Sequence, residues 1–207
     1  MSDAVKAVYA AHTDAEIRAA YEGWANDYDR DLMAMGYRLP TLMTAVVLDH
    51  LTPRSGQILD AGCGTGLHAE MLPHFGFERL CGLDPSEAML EVAREKGIYA
   101  ALSQGFLGDG MAQFETDQFD GALSCGTITP GHAGVSSFDD LIRAVRCGGH
   151  IVFSLRDDAG QDPAYEARMR ALEEEGAWRQ LYRSHLIQTM PYGEPEVFNR
   201  VFVYEVL

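Results

Sequence analysis

Three glycines at alternate positions directly follow a short apolar run, in the segment Ile58-Leu59-Asp60-Ala61-Gly62-Cys63-Gly64-Thr65-Gly66. Glycine tolerates positive φ and leaves room for a ligand against the backbone, and a helix that starts after such a turn directs its free amides at that ligand. The segment therefore predicts a cofactor site at the end of a strand, built on Gly62, Cys63, Gly64 and Gly66.

The spacing of these glycines does not suit a phosphate ligand. A dinucleotide fingerprint needs its third glycine where Leu67 stands, and a phosphate-binding P-loop needs a Lys-Ser or Lys-Thr pair, which does not follow this turn. Asp60 also places a carboxylate where a pyrophosphate would have to approach, and the two negative charges repel each other.

A ligand with positive charge and no phosphate suits the turn better, and S-adenosylmethionine (SAM) is such a ligand. Asp60 is placed to hold the amides of the turn and to face the ammonium group. Asp84 ends the next apolar run, where it can accept both ribose hydroxyls in a charge-assisted pair. The alternatives are a turn-stabilising role for Asp60 and a helix-entry role for Asp84, which precedes Pro85.

His132 is the candidate general base, in the segment Thr129-Pro130-Gly131-His132. Its imidazole titrates in the range needed to take a proton from an acceptor at neutral pH. The alternative is a histidine on a solvent-facing loop. No HxxxH pair, Cys/His cluster with zinc spacing or GxSxG elbow is present, so we predict neither a metal site nor a hydrolase.

A scaffold of alternating strands and helices is predicted from residue 57 onward. The strand candidates are 58–61, 80–83, 99–103, 121–125 and 151–155, and the helix candidates are 67–75, 86–96 and 137–146, the last with Ser136 as N-cap. This alternation predicts an α/β fold with a doubly wound, mostly parallel sheet. A charged helix from Asp162 to near Tyr182 precedes two further strand candidates, 185–190 and 197–207, which are placed as an antiparallel edge.

The first fifty residues are helical in pattern, with one helix around Asp14 to Met35 and another that opens at Pro40. We expect residues 1–53 to form a helical cap on a cofactor-binding core of residues 54–207, in a single domain of 1–207.

Four ordered motifs resemble those of the class I SAM-dependent methyltransferases, over most of residues 54–156. They are Leu59 to Gly66, Gly82-Leu83-Asp84-Pro85-Ser86 with Met89-Leu90, Phe119-Asp120-Gly121-Ala122-Leu123, and Cys147-Gly148-Gly149-His150-Ile151. The resemblance implies SAM as cofactor and a seven-stranded Rossmann-like sheet. It also implies cofactor contacts from Pro85 and Met89. Because ligands of open α/β sheets lie at the carboxyl ends of the strands, we expect Ser124, Cys125 and Thr127 after the fourth strand to border the methionine part.

A second resemblance lies outside this core, in residues 21–29, 36–38 and 165–181. These segments are similar to the methyltransferase-like family of the Williams–Beuren critical region. The resemblance implies an N-terminal lid in which Tyr21, Trp24 or Tyr28 closes over SAM. The alternative is a plain packing face, because the three aromatic residues fall at i, i+3 and i+7 of one helix.

The sequence departs from the superfamily pattern after the third strand candidate, where many members have an acidic residue for the adenine amino group. Phe106 and Leu107 stand there, and Asp109 follows. We expect apolar contact of adenine with Phe106 and Leu107 together with backbone amides, with Asp109 as an alternative ligand. Phe106 and Leu107 as plain core residues remain a further alternative.

The formal net charge of −15 disfavours nucleic acid and anionic membranes as partners. The four cysteines form no CxxC pair, which favours reduced, buried thiols and a cytoplasmic protein. The predicted function is methyl transfer to a small-molecule acceptor. The alternatives are an NAD(P)-dependent oxidoreductase and a catalytically inert SAM-fold partner of another protein.

Overall fold

The computed structural model describes residues 3–11, 13–129, 132–158 and 162–207. The helices in these segments are α1 (Asp3–Ala10), α2 (Asp14–Ala34), α3 (Leu39–His50), α4 (Glu87–Lys96), α5 (Ser136–Ala144) and α6 (Pro163–Glu174). The strands are β1 (Ile58–Ala61), β2 (Leu80–Asp84), β3 (Ala101–Gln104), β4 (Phe119–Ser124), β5 (Val145–Arg156), β6 (Trp178–Arg183), β7 (Ile187–Met190) and β8 (Glu194–Val206).

All eight described strands belong to one sheet, in the order β3-β2-β1-β4-β5-β8-β6, with β7 paired to β8. Strands β1 to β5 are parallel, and β8 runs antiparallel to β5, β6 and β7. The predicted α/β fold with a mostly parallel sheet and an antiparallel edge is confirmed. Because the carboxyl ends of the parallel strands meet at one edge, they bring the motifs of the first 130 residues together.

The predicted number of seven strands is wrong, because the segment placed at the end of the charged helix is strand β6. Helix α6 ends at Glu174, and Gly176 then adopts φ +72°. Trp178 is buried against Tyr204 of β8, with ring centroids 4.1 Å apart. Burial of this indole on the sheet outweighs the helical charge pattern of the segment.

The helix predicted over residues 67–75 is also wrong. The backbone passes from Gly66 through successive i to i+3 turns and forms only a short 3-10 helix, Leu72–Phe75. Pro73 lies in that 3-10 helix and has no amide to donate, which disfavours a regular α-helix.

Helix α5 begins at Ser136, with Val135 as N-cap, so the predicted capping role of Ser136 is wrong. The Ser136 hydroxyl instead donates to the Gly108 carbonyl at 3.0 Å. The helix predicted to reach residue 146 ends at Ala144, and β5 starts directly after it because Val145 pairs with Phe119 of β4.

The sheet is buried on both faces. Ile58 of β1 packs in a cluster with residues of α3, whereas its neighbour Leu59 packs in a cluster with residues of α5. Burial on both faces explains why the central strands appear in the sequence as continuous apolar runs rather than as alternating ones.

The N-terminal helices have a cluster of their own, which includes Val5, Trp24 and Leu32 and touches Leu67 and Met190 of the core. Helix α2 begins with a capping box between Thr13 and Glu16. In the described parts of the chain, no helix is both long and apolar enough to cross a membrane.

Candidate active site

The glycine turn after β1 opens into a cleft. Gly62, Gly64 and Gly66 have φ values of +77°, +52° and +80°. A Cβ atom on Gly62 would lie 2.1 Å from Thr127 Oγ1, whereas a Cβ atom on Gly64 would meet no atom within 4 Å. Gly62 is therefore needed for packing against the loop after β4, and Gly64 faces open space that a ligand can fill.

The cleft has a volume of about 820 Å³, including space open to solvent. We call it the first cavity. Thirteen of the residues predicted from sequence line it: Tyr21, Tyr28, Gly62, Cys63, Gly64, Asp84, Pro85, Met89, Phe106, Leu107, Cys125, Thr127 and His132.

Four other predicted residues lie outside this lining. The indole of Trp24 donates to Asp31 at 3.0 Å and lines a neighbouring cavity. Ser124 is fully buried and donates to the Ala61 carbonyl at 2.8 Å. Gly66 lies against the ring of Tyr99. Asp60 lies behind the cleft.

Asp60 is fully buried and contacts two side chains. It accepts from the Tyr99 hydroxyl at 2.6 Å, and its other oxygen lies 2.8 Å from His68 Nε2. Burial, reinforced by the Asp60 charge, raises the pKa of Tyr99 well above its usual value, so this phenol stays a neutral donor. His68 lines the first cavity, and Asp60 therefore borders the cleft through His68.

Asp84 sits at the end of β2 with its carboxylate in the cleft wall. One oxygen accepts from the Gly64 amide and the other from the Ser86 amide, each at 2.9 Å. Burial raises the pKa of Asp84 to about 6, although both amide bonds oppose this shift. A carboxylate offers about four acceptor positions, so two remain for ligand hydroxyls. The helix-entry role and room for a ribose are therefore compatible.

The loop after β3 forms another wall of the cleft, with Phe106 and Leu107 in its lining. Asp109 is exposed and does not line the cleft. Asp140 of α5 fixes this loop, because it accepts from the amides of Gly108 and Gly110 at 2.9 Å each.

Aromatic residues of α2 cover the cleft. The Tyr21 hydroxyl lies 2.8 Å from His132 Nε2, and the rings of Tyr21 and Tyr28 meet edge to face at 6.2 Å. Burial raises the pKa of Tyr28 far above its ordinary value, and the same holds for Tyr37. Both phenols therefore remain neutral hydrogen-bond donors at the site.

Asp29 ties this helix to the glycine turn. It accepts from Thr65 Oγ1 at 2.5 Å and from Lys96 Nζ at 2.6 Å. Thr65 belongs to the turn and Lys96 ends α4, so one carboxylate joins α2 to both elements.

A second cavity, of about 950 Å³ including space open to solvent, adjoins the first. The two cavities share five lining residues: Tyr21, Tyr28, Tyr37, Gly126 and His132. We call these five residues the shared wall. The second cavity extends from it toward α1, the end of β5, β7 and β8.

Sequence reasoning missed several residues that line the first cavity: Ile17, Tyr37, Thr65, Leu67, His68, Gly105, Gly126 and Ala133. Tyr37, Thr65 and Leu67 stand within or beside segments already singled out, which was a usable signal. No spacing pattern distinguishes His68, because its partners Asp60 and Tyr99 meet it only in the folded chain.

Three of the four cysteines are buried, and Cys147 is exposed, so the expectation of buried thiols is wrong at that position. Among the residues that the structure describes, no group of three or more His, Cys, Asp or Glu side chains is placed to hold a metal ion.

Comparison with known proteins identifies the family. Residues 59–153 match the model of a methyltransferase domain. The chain is 34% identical to human methyltransferase-like protein 27 over 166 residues, which are 78% of this chain and 67% of that protein. It is 32% identical to a trans-aconitate 2-methyltransferase of Acidovorax sp. over 68% of this chain and 52% of that protein.

A solved SAM-dependent methyltransferase of Thermotoga maritima has the same fold, with a TM-score of 0.66 and 19% identity over 90% of this chain and 98% of that one. The acceptors named for the relatives range from trans-aconitate to ribosomal RNA. The family match, together with the glycine turn and Asp84 at the strand ends, shows that the chain belongs to the class I SAM-dependent methyltransferases.

Proposed function

We propose that the chain transfers the methyl group of SAM to a small-molecule acceptor held in the second cavity. The observation that carries this proposal is the shared wall. SAM in the first cavity and an acceptor in the second would meet there, beside Tyr21 and His132. A displacement reaction needs its two reactants in line and shielded from water, and two adjoining cavities provide that arrangement.

The first cavity suits SAM in its charges as well as its shape. Asp84 is the only carboxylate among the described residues that line it, and no Lys or Arg lines it. This wall favours a cationic ligand without phosphate over a dinucleotide. Asp84 would accept the ribose hydroxyls, Phe106 and Leu107 would contact adenine, and Gly64 would leave room for the ligand.

The methionine end would lie between Cys125, Thr127 and the aromatic residues of α2. Tyr28 presents a neutral hydroxyl there. Since Tyr21 and Tyr28 line both cavities, we also propose that residues 1–53 and 54–207 act as one catalytic unit, with the helical cap completing the site.

SAM supplies a methyl group on a sulfonium, which is already a good leaving group. Transfer breaks the sulfur–methyl bond, with the electron pair retained by sulfur, and forms a methyl bond with a lone pair of the acceptor. If the acceptor is protonated, its proton passes to the Tyr21 hydroxyl as Tyr21 gives its own proton to His132 Nε2, 2.8 Å away. Tyr21 and His132 thus act together as the base.

A small-molecule acceptor is supported by enclosure and by charge. Residues of α1 and α2 line the second cavity opposite the sheet, and the net charge of −15 repels a phosphate backbone. A relative that methylates trans-aconitate has a small acceptor, although another acts on ribosomal RNA.

The test has two stages. Calorimetry should show binding of S-adenosylhomocysteine and none of NAD. Labelled SAM should then transfer its methyl group to a component of a metabolite pool and not to total RNA. Preference for NAD would contradict the cofactor assignment, and labelled RNA would contradict the acceptor class. Cofactor binding without any transfer to a metabolite would favour an inert binding protein.

A further inference from the structure

We propose that Arg156 binds a carboxylate of the acceptor, so that the substrate is a small carboxylic acid with an apolar body. This inference rests on the proposed function, because it takes the second cavity as the acceptor site.

Arg156, at the end of β5, is the only Lys or Arg among the described residues that line either cavity. The chain as a whole carries 31 acidic residues against 16 basic ones. The Arg156 side chain is partly exposed and already forms an ion pair with Asp158, so a substrate anion must bind the part of the guanidinium that Asp158 leaves open.

The guanidinium is held in a defined orientation. Its Nε donates to both carboxylate oxygens of Asp158, at 2.7 and 2.8 Å, and Asp158 in turn accepts from the Phe198 amide at 3.0 Å. Within the described segments, the two terminal nitrogens of Arg156 have no hydrogen-bond acceptor. That edge of a guanidinium matches the two oxygens of a carboxylate.

Two further donors lie beside Arg156. Asn199 of β8 is its direct cross-strand neighbour, so the two side chains share one face of the sheet. The Thr189 hydroxyl donates to Asn199 Oδ1 at 2.8 Å, which leaves the amide nitrogen of Asn199 as a donor. Ser154, two residues before Arg156, lies on the same face. We call Ser154, Arg156 and Asn199 the donor patch; all three line the second cavity.

The position of the donor patch separates the bound carboxylate from the reacting atom. Ser154 Oγ accepts from the amide of Gly126, at 2.7 Å, and Gly126 belongs to the shared wall. Arg156 lies two residues further along β5, about 6.6 Å away at the usual rise of a strand. The carboxylate is therefore an anchor, and the methyl-accepting atom lies several bonds from it.

The rest of the cavity defines the body of the acceptor. Most of its other described lining residues are apolar: Val5, Val8, Trp24, Leu32, Leu39, Ile128, Met190 and Val197. Glu194 is the one acidic side chain in the described lining, and it has an interaction partner of its own. The cavity therefore suits an acceptor whose carboxylate binds Arg156 and whose body is apolar.

The test uses hydroxyphenyl-alkanoic acids with side chains of two to four carbons, each paired with its primary amide. Binding is measured by calorimetry on the full chain saturated with S-adenosylhomocysteine. We expect at least one acid to bind tenfold to a hundredfold more tightly than its amide. Arg156→Gln should remove this preference with no change in affinity for S-adenosylhomocysteine, and Arg156→Lys should retain part of it.

The matched control is Arg94→Gln, at an exposed arginine of α4 that pairs with Glu87. It should leave the preference intact. Circular dichroism and the affinity for S-adenosylhomocysteine verify that each variant folds, and Arg156→Lys provides the comparison if Arg156→Gln does not fold.

The inference would be overturned if the unmodified protein bound each acid and its amide with equal affinity, or if no acid bound to the cofactor-saturated protein. It would also be overturned if Arg156→Gln lowered the affinity for acid and amide by the same factor. Each of these results leaves the proposed function standing if a neutral acceptor is methylated. Failure to bind S-adenosylhomocysteine would instead contradict the proposed function.

Discussion

The hydroxyl of Tyr21 lies 2.8 Å from Nε2 of His132, although 111 positions separate the two residues in the sequence. Tyr21 belongs to α2 and His132 to the segment between β4 and α5, and their rings meet edge to face at 5.7 Å. Both residues line both cavities. The contact therefore couples the position of α2 to that of the proposed base.

Substitution of either member of this pair should slow methyl transfer more than it weakens cofactor binding. General bases contribute about 10² to 10⁴-fold in rate, so we expect His132→Gln to lower kcat by at least a hundredfold for a protonated acceptor. Tyr21→Phe removes the proton relay and should have a similar effect. The measurement is turnover of labelled SAM with the acceptor found in the metabolite pool. If kcat is unchanged in both variants, the pair has no catalytic role.

Asp84→Ala should weaken the binding of S-adenosylhomocysteine by about ten- to a few hundred-fold. It leaves the ribose hydroxyls without an ionised acceptor, and such hydrogen bonds contribute about 1.5 to 3 kcal/mol each. Calorimetry provides the measurement. Asp109→Ala is the matched control, since Asp109 is exposed and outside the cleft, and its affinity should equal that of the unmodified chain.

Cofactor affinity should fall as the pH drops below about 6. Burial raises the pKa of Asp84 to about 6 in the ligand-free chain, and ribose hydroxyls bind the ionised form. Affinity is therefore at its full value above the pKa of Asp84 and decreases as the carboxylate becomes protonated, approaching tenfold per pH unit. Asp84→Asn retains the histidines but should lose this dependence. If the affinity of Asp84→Asn for S-adenosylhomocysteine fell with pH as steeply as that of the unmodified protein, another group would be responsible for the pH dependence.

Gly64→Val should abolish cofactor binding, because its side chain would occupy the open space of the cleft. Its φ of +52° also strains any side chain, at a cost of about 1 to 3 kcal/mol. Gly97→Val separates backbone strain from occupation of the cleft. Gly97 has φ +66° and equally open surroundings, but it lies at the end of α4 and outside the cleft. Both variants should lose stability in thermal unfolding, and only Gly64→Val should lose affinity for S-adenosylhomocysteine.

Helix α2 should be a lid that the cofactor orders. Its apolar residues share a cluster with α1 and with Leu67 and Met190 of the core, and Asp29 joins the helix to the glycine turn and to α4. We expect S-adenosylhomocysteine to protect amides of residues 14–36 from hydrogen exchange, and a chain without residues 1–36 to fold with impaired catalysis. If these amides are already as protected as those of β1 without ligand, α2 is a fixed part of the core.

Much of the candidate cofactor site could be predicted, because its geometry depends on local sequence and on the rule that ligands of open α/β sheets lie at the carboxyl ends of the strands. Burial on both faces turns β1 and β2 into continuous apolar runs, and their carboxyl ends bring the glycine turn beside Asp84. The turn geometry then requires glycine at Gly62, where any Cβ atom would clash with Thr127.

The second cavity, which we propose as the acceptor site, could not be predicted in the same way. Arg156 and Asn199 become neighbours through the antiparallel register of β5 and β8, and Thr189 reaches Asn199 across an irregular pairing of β7 and β8. None of these contacts has a fixed sequence spacing. The sequence pattern predicts strand β6 as the end of a charged helix for the same reason. What distinguishes it from a helix is the buried contact of Trp178 with Tyr204, which is a long-range contact without a sequence signal.

The second cavity is lined both by the first helix, through Val5 and Val8, and by the last strand, through Val197 and Asn199. Contacts between segments so far apart in sequence close a long loop, and such long-range contacts slow folding. The second cavity thus requires β8 to be in place, whereas the glycine turn and Asp84 lie at the ends of β1 and β2. If the second cavity holds the acceptor, specificity for that acceptor depends on contacts between the two ends of the described chain.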